Sequence, residues 1–207
     1  ESPMAEEPLS EIQKLAQQVR GCTDCGLSSG ITMAVPGEGP ENADLMFIGE
    51  GPGYNEDQQG RPFVGAAGHF LEQLLASIDL SRNQVYITNM VKCRPPNNRD
   101  PFPGEIAACS KYLDRQIALI QPKVIVTLGR HSLTKFLPGQ TISKVHGKPS
   151  RIGSFILYPI YHPAAALRQQ NLRKVVEEDF KTIPSLLKGP PKQASDEPPT
   201  KQFSMFQ

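Results

Sequence analysis

The chain has 207 residues, with 22 Lys and Arg against 21 Asp and Glu and a formal net charge of +1. That length suits one domain with tails, large enough to bury a core without crosslinks. The near-neutral balance excludes a global basic field, no segment approaches the roughly 20 apolar residues of a membrane span, and the N-terminus lacks a basic-then-apolar signal pattern.

An intracellular, cytoplasmic protein without membrane contact is therefore expected. Any nucleic-acid contact has to come from local patches: Lys92, Arg94 and Arg99, then Lys144, His146, Lys148 and Arg151, then Arg168, Arg173 and Lys174. Residues 1–8 read as a disordered N-terminus. Ser10-Glu-Ile-Gln13 then forms a capping box, and Leu9, Ile12, Leu15, Ala16 and Val19 follow at helical spacing. This helix ends at Gly21, and Cys22 and Cys25 come immediately after it.

Four short apolar runs, Leu45–Gly49, Val85–Val91, Val124–Leu128 and Phe155–Tyr161, read as strands. Helical patterns at Phe70–Ile78 and Ile106–Ile120 separate them, which predicts a parallel sheet covered on both faces. The expected fold class is α/β, a three-layer α/β/α sandwich. A last helix is expected over Leu172–Leu187, broken at Pro184. The folded domain is expected over residues 9–187, and 188–207 read as a disordered Pro-rich linker ending in a partner-binding peptide.

Chemistry-bearing residues sit where these strands end. Between Gly49 and Gly68 the chain reads GEGPGYNEDQQGRPFVGAAG, a Gly/Pro-rich turn with acids and an aromatic. Close backbone approach, a carboxylate and a ring suit a nucleobase better than a phosphate. Asn89 closes the second strand and His162 follows the fourth. Ligands of open α/β sheets bind at the carboxyl ends of the strands, so these motifs converge on one site.

The four cysteines are Cys22, Cys25, Cys93 and Cys109. Three roles compete: an iron–sulfur cluster, structural zinc, or free and redox-active thiols. A four-ligand site would tie the N-terminal helix to the loop after the second strand.

GEGPG with ED and GRPFVG, then NMVKCRPP, Cys109, TLGR and YHPAA together resemble the family 4 uracil-DNA glycosylases, the iron–sulfur branch of that superfamily, over roughly Leu9 to Leu187. The resemblance implies a four-stranded parallel sheet, a 4Fe–4S cluster on the four cysteines, and uracil-containing DNA as substrate. It implies a monofunctional enzyme that hydrolyses the N-glycosidic bond of deoxyuridine. Gly51 stands where the family usually has Ala. The loop after Cys93, RPPNNRDPFPGE, lacks the histidine by which a related branch bonds covalently to DNA.

Residue by residue, the resemblance implies that Phe63 stacks on uracil, Asn89 reads its N3–H and O4, and His162 donates to O2. Glu50 would hold or activate water, the backbone of Gly51 would contact the base, and Glu56 with Tyr54 would crowd the C5 position. Leu167 would wedge into the vacated stack and Arg168 would meet a phosphate. Without it, Phe63 reads as core, Asn89 as a turn residue, His162 as a satisfied loop histidine, Glu50 as a helix N-terminal acid, and Leu167 as a helix-face contact.

Gln202-Phe203-Ser204-Met205-Phe206 resembles the bacterial sliding-clamp-binding pentapeptide, so Gln202, Phe203, Met205 and Phe206 are expected to contact a replication clamp. The protein is otherwise expected to be a monomer, nucleoid-associated in a prokaryote. The competing functions are an iron–sulfur redox protein and a nucleic-acid-binding module without catalysis.

Overall fold

The computed structural model describes residues 8–189. The expected tails, with the Pro-rich linker and the peptide Gln202–Phe206, lie outside the described residues. In chain order the elements are α1 (Glu11–Arg20), β1 (Leu45–Gly49), α2 (Tyr54–Gln59), α3 (Ala66–Ala76), β2 (Tyr86–Asn89), α4 (Pro103–Ile120), β3 (Val124–Leu128), α5 (Arg130–Phe136), α6 (Ile142–Val145), β4 (Ser150–Ile152), β5 (Phe155–Ile160), α7 (Pro163–Arg168), α8 (Gln170–Phe180) and α9 (Ile183–Leu187).

β1, β2, β3 and β5 pair in parallel, in the order β2-β1-β3-β5. Their continuous apolar runs are what a sheet buried on both faces requires. Side chains then alternate between faces. Leu45 and Phe47 join Leu71, Leu74 and Phe180 in one core, while Met46 and Ile48 join Leu113, Ile117 and Phe136 in the other. The sheet gains a fifth strand beyond the four read from sequence: β4 lies antiparallel to β5 at the edge, with Ile152 opposite Phe155.

The capping box at α1 is present: Ser10 Oγ accepts from the Gln13 N–H at 3.1 Å, and the Gln13 side chain accepts from the Ser10 N–H at 2.9 Å. Its apolar side, Leu15 and Val19, packs in a third cluster with Val91, Cys93 and Tyr112. The last helical segment breaks at Lys181–Thr182 rather than at Pro184. Pro184 falls in the first turn of α9, where no N–H is needed from it.

Beyond β1 and β2 the ladder runs on, with Met90 N–H donating to Gly49 O at 3.0 Å and Val91 N–H to Glu50 O at 3.1 Å. This fixes Glu50 and Asn89 side by side at the carboxyl edge. Phe63 sits nearby with a left-handed φ of 50°. Such a conformation costs roughly 1–3 kcal/mol and has to be held in place. Arg82 holds it, its guanidinium donating to the Phe63 carbonyl at 2.6 Å and also to that of Pro62. Gly68 completes the fit, since a Cβ there would overlap the Phe63 carbonyl.

Candidate active site and thiol cluster

The carboxyl ends of β1, β2 and β5 open into a cleft of about 530 Å³. Glu50, Gly51, Glu56, Phe63, Asn89, His162 and Arg168 all line it, so the structure brings together the residues that the sequence placed at separate strand ends. Leu167 is 43% exposed on α7 beside Arg168, outside the cleft lining.

Asn89 lies opposite Gly49 in the β1–β2 register and is only 1% exposed. Its Oδ1 is buried without a hydrogen-bond partner. A buried, unpaired amide oxygen costs about 1–3 kcal/mol, and such a group in a cleft is poised for a ligand donor. Gly49 makes the space: a Cβ there would collide with Asn89 Oδ1 and approach the Phe63 ring to 2.8 Å.

The Phe63 ring stacks on His162, with centroids 5.6 Å apart and planes 25° from parallel. His162 is the N-cap of α7, its Nδ1 accepting from the Ala164 N–H at 3.1 Å. That bond assigns the proton of the neutral ring to Nε2, which is left as a donor. Burial, then the positive charge of Arg168, pushes the His162 pKa down to about 4, so the ring is neutral near pH 7.

Glu50 has its carboxylate pKa raised, first by burial and then by Asp100, with His131 and Arg130 opposing. His131 Nε2 lies 3.3 Å from Glu50 Oε2 and 3.2 Å from Asp100 Oδ2. Glu56 is differently engaged. Its Oε1 accepts from the N–H groups of Val64 at 2.8 Å and Gly65 at 2.9 Å, and its Oε2 from Gly53 at 3.1 Å. Glu56 is thus a fixed wall that braces the Phe63 loop. Tyr54, its expected companion, is 58% exposed, lies beneath Arg94 and does not line the cleft.

The four cysteines line a separate small cavity with Val19, Leu27, Val91 and Tyr112, and all four are free thiols. The Lys92 N–H donates to Cys109 Sγ at 3.3 Å. Burial first, and then the neighbouring cysteines, push the Cys93 thiol up to about 12. Among the described residues, only Glu50, Asp100 and His131 form a group whose ligating atoms all lie within 4.8 Å of one another. Tetrahedral zinc, with Zn–S bonds of ~2.3 Å, needs thiolates about 3.8 Å apart, and no three of these thiols are so close. The set is too open for a single ion and suits a larger group.

Lys92 is 1% exposed, which removes it from the expected DNA-contacting patch. Its ammonium donates to Thr88 Oγ1 at 2.6 Å, the Asn89 carbonyl at 2.7 Å and Gln116 Oε1 at 2.8 Å. Arg99 of the same patch is engaged by Glu105 at 2.7 Å.

Sequence reasoning assigned no role to Asp100, Arg130 or His131, all of which line the cleft. Arg130 belongs to the TLGR motif and Asp100 to the loop after Cys93, so the signal was their place just after strands.

The profile of the Uracil DNA glycosylase superfamily matches residues 36–182. The chain is 52% identical to a type-4 uracil-DNA glycosylase of Sulfurisphaera tokodaii, covering 91% of this chain and 90% of the relative. It is 46% identical to one from Archaeoglobus fulgidus (86% and 94% covered) and 45% identical to one from Thermotoga maritima (88% and 96% covered). The chain belongs to the uracil-DNA glycosylase superfamily and to its type-4 branch.

Proposed function

We propose that this type-4 family member hydrolyses the N-glycosidic bond of deoxyuridine in DNA, releasing uracil and leaving an abasic site for excision repair. The observation that carries the reading is the unpartnered Asn89 Oδ1, buried beside the stacked Phe63 and His162 rings. Uracil supplies the missing donor at N3–H, and the Asn89 amide N–H can donate to O4. Cytosine offers a lone pair at N3 and an amine at C4, the opposite pattern, so a fixed amide rejects it.

As the C1′–N1 bond breaks, its electron pair leaves on the base and positive charge grows on the sugar. The Nε2–H of His162 donates to O2 of the departing anion, as a neutral donor already in place. Glu50 orients the water that adds to C1′, and its carboxylate favours the cationic sugar. The water proton passes to Glu50 or solvent, and the base takes a proton from solvent. Among the described residues no lysine lines the cleft, which supports simple hydrolysis over a Schiff base to the sugar. Glu56, as a fixed wall, excludes the C5 methyl of thymine, Gly51 contacts the base through its backbone, Leu167 fills the vacated stack and Arg168 meets a phosphate.

The thiols of Cys22, Cys25, Cys93 and Cys109 would hold a 4Fe–4S cluster; their common cavity and wide spacing support this. Bound there, the cluster supplies a crosslink between the segment after α1, the loop after β2, and α4. Lys92 is a buried amine with three neutral acceptors, and burial pulls its pKa down to about 7; a negatively charged neighbour would favour its charged form. No helix among the described residues is long and apolar enough to cross a membrane. A monomer that works on the nucleoid and is tethered to a replication clamp through Gln202–Phe206 completes the proposal. Deletion of residues 202–206 is expected to abolish clamp binding in a titration.

The test is release of free base from oligonucleotides carrying one uracil, with matched cytosine and thymine controls. Uracil release with an alkali-labile site, confined to the uracil strand, is the expected result. No release from iron-loaded protein on single or double strands would overturn it.

A further inference from the structure

We infer that His131 is a positioning residue for Glu50, clamping its carboxylate from the far side of the cleft. The inference rests on the glycosylase reading above, because it assigns Glu50 the water. Three loops meet at this point: the turn after β1 brings Glu50, the loop after β2 brings Asp100, and the first turn of α5 brings Arg130 and His131.

The geometry is a chain of contacts. Arg130 donates to Asp100 Oδ2 at 2.7 Å, and Asp100 Oδ2 lies 3.2 Å from His131 Nε2, which faces Glu50 Oε2 at 3.3 Å. In this structure Nε2 accepts from Arg130 Nε, 3.0 Å away, with the two carboxylates close beside it. With a proton on Nε2, His131 would instead donate to Glu50 or Asp100. One nitrogen cannot do both, so the proton on Nε2 decides whether Glu50 is held. Glu50 is half-buried, with a side-chain exposure of 28%, and among the described residues its carboxylate has its ion-pair contact with His131 and no side-chain hydrogen bond.

A divalent cation on Glu50, Asp100 and His131 is the rival reading of the same three groups. Arg130 argues against it, because the guanidinium already places a positive charge against both Asp100 and His131. The remaining charged groups of the cleft leave the clamp to these residues. Glu56 is held by backbone N–H groups, Arg99 by Glu105, His162 is neutral, and Arg168 lies on α7.

The experiment is the pH profile of single-turnover uracil release for the iron-loaded wild type, His131→Asn, Asp100→Asn and Glu50→Gln. His131→Asn is expected to lower the rate about ten- to a hundredfold, the scale of a misplaced reacting group. It should also move the acid limb to higher pH, because a group that favours the ionised Glu50 is gone. Asp100→Asn should move that limb the other way, because a like charge is gone, and Glu50→Gln should abolish it. A merely structural role would lower the rate without moving the limb, and that result overturns the inference while leaving the glycosylase reading intact. Wild type that releases no uracil overturns both. Added Mg²⁺, Mn²⁺ or EDTA should leave the rate unchanged; activation by a metal that vanishes in His131→Asn would replace the clamp with a cation site. Circular dichroism melting of each variant separates loss of fold from loss of rate.

Discussion

Gly49 and Asn89 face each other across the β1–β2 pair, and the missing side chain of the glycine leaves the asparagine oxygen open to a ligand. The same missing Cβ gives Phe63 its place beside that oxygen. The base pocket is therefore made by an absence at one strand end and an unpaired group at the next.

Gly49→Ala should close this pocket by driving a methyl against Asn89 Oδ1 and the Phe63 ring, with no polar side chain removed. Uracil release is expected to fall by about a hundredfold or more, since the base can no longer reach its productive position. Single-turnover rates measure this, with thermal melting to show that the sheet survives.

His162 should stay neutral through the working range. Its folded pKa of about 4 lies below the ordinary histidine value, so the unfolded chain binds the extra proton first as pH falls. The stability contributed by the neutral buried ring, about 3 kcal/mol, is fully present above the unfolded value of ~6.5 and lost as pH falls towards about 4. Nitrogen-15 NMR of labelled histidine should find the Nε2–H tautomer at pH 6, and His162→Gln should flatten the stability curve in that window.

Lys92→Met keeps the length of the side chain and removes its three donors. Thr88 and Gln116 still bond each other at 3.1 Å, but the Asn89 carbonyl loses its partner. A loss of about 2–4 kcal/mol is expected on denaturant unfolding of the iron-loaded protein. Because that carbonyl belongs to Asn89, uracil release should also weaken, whereas Lys181→Met on the surface should change neither.

Much of this was legible in the chain. Leu45–Gly49 and Val124–Leu128 are apolar at every position because both faces of the sheet are covered, and such runs announce themselves. Asn89 and His162 were found because strand ends are where ligands bind. β4 was not, since Ser150-Arg151-Ile152 is short, mostly exposed and carried by its pairing with β5. α2 was missed for a related reason: among its six residues only Asp57 is buried, so no apolar stripe marks it. Lys92 read as a surface charge because burial of a lysine depends on acceptors brought by Thr88 and Gln116. Asp100 and His131, thirty-one positions apart, meet only through the tertiary fold.

The most direct measurement of the central claim compares uracil with N3-methyluracil in the same oligonucleotide, for wild type and Asn89→Ala. If Asn89 Oδ1 reads N3–H, wild type releases uracil at least about a hundredfold faster than the methylated base. Asn89→Ala should then lose most uracil release and most of that discrimination together. Equal release of uracil by wild type and Asn89→Ala would contradict the account.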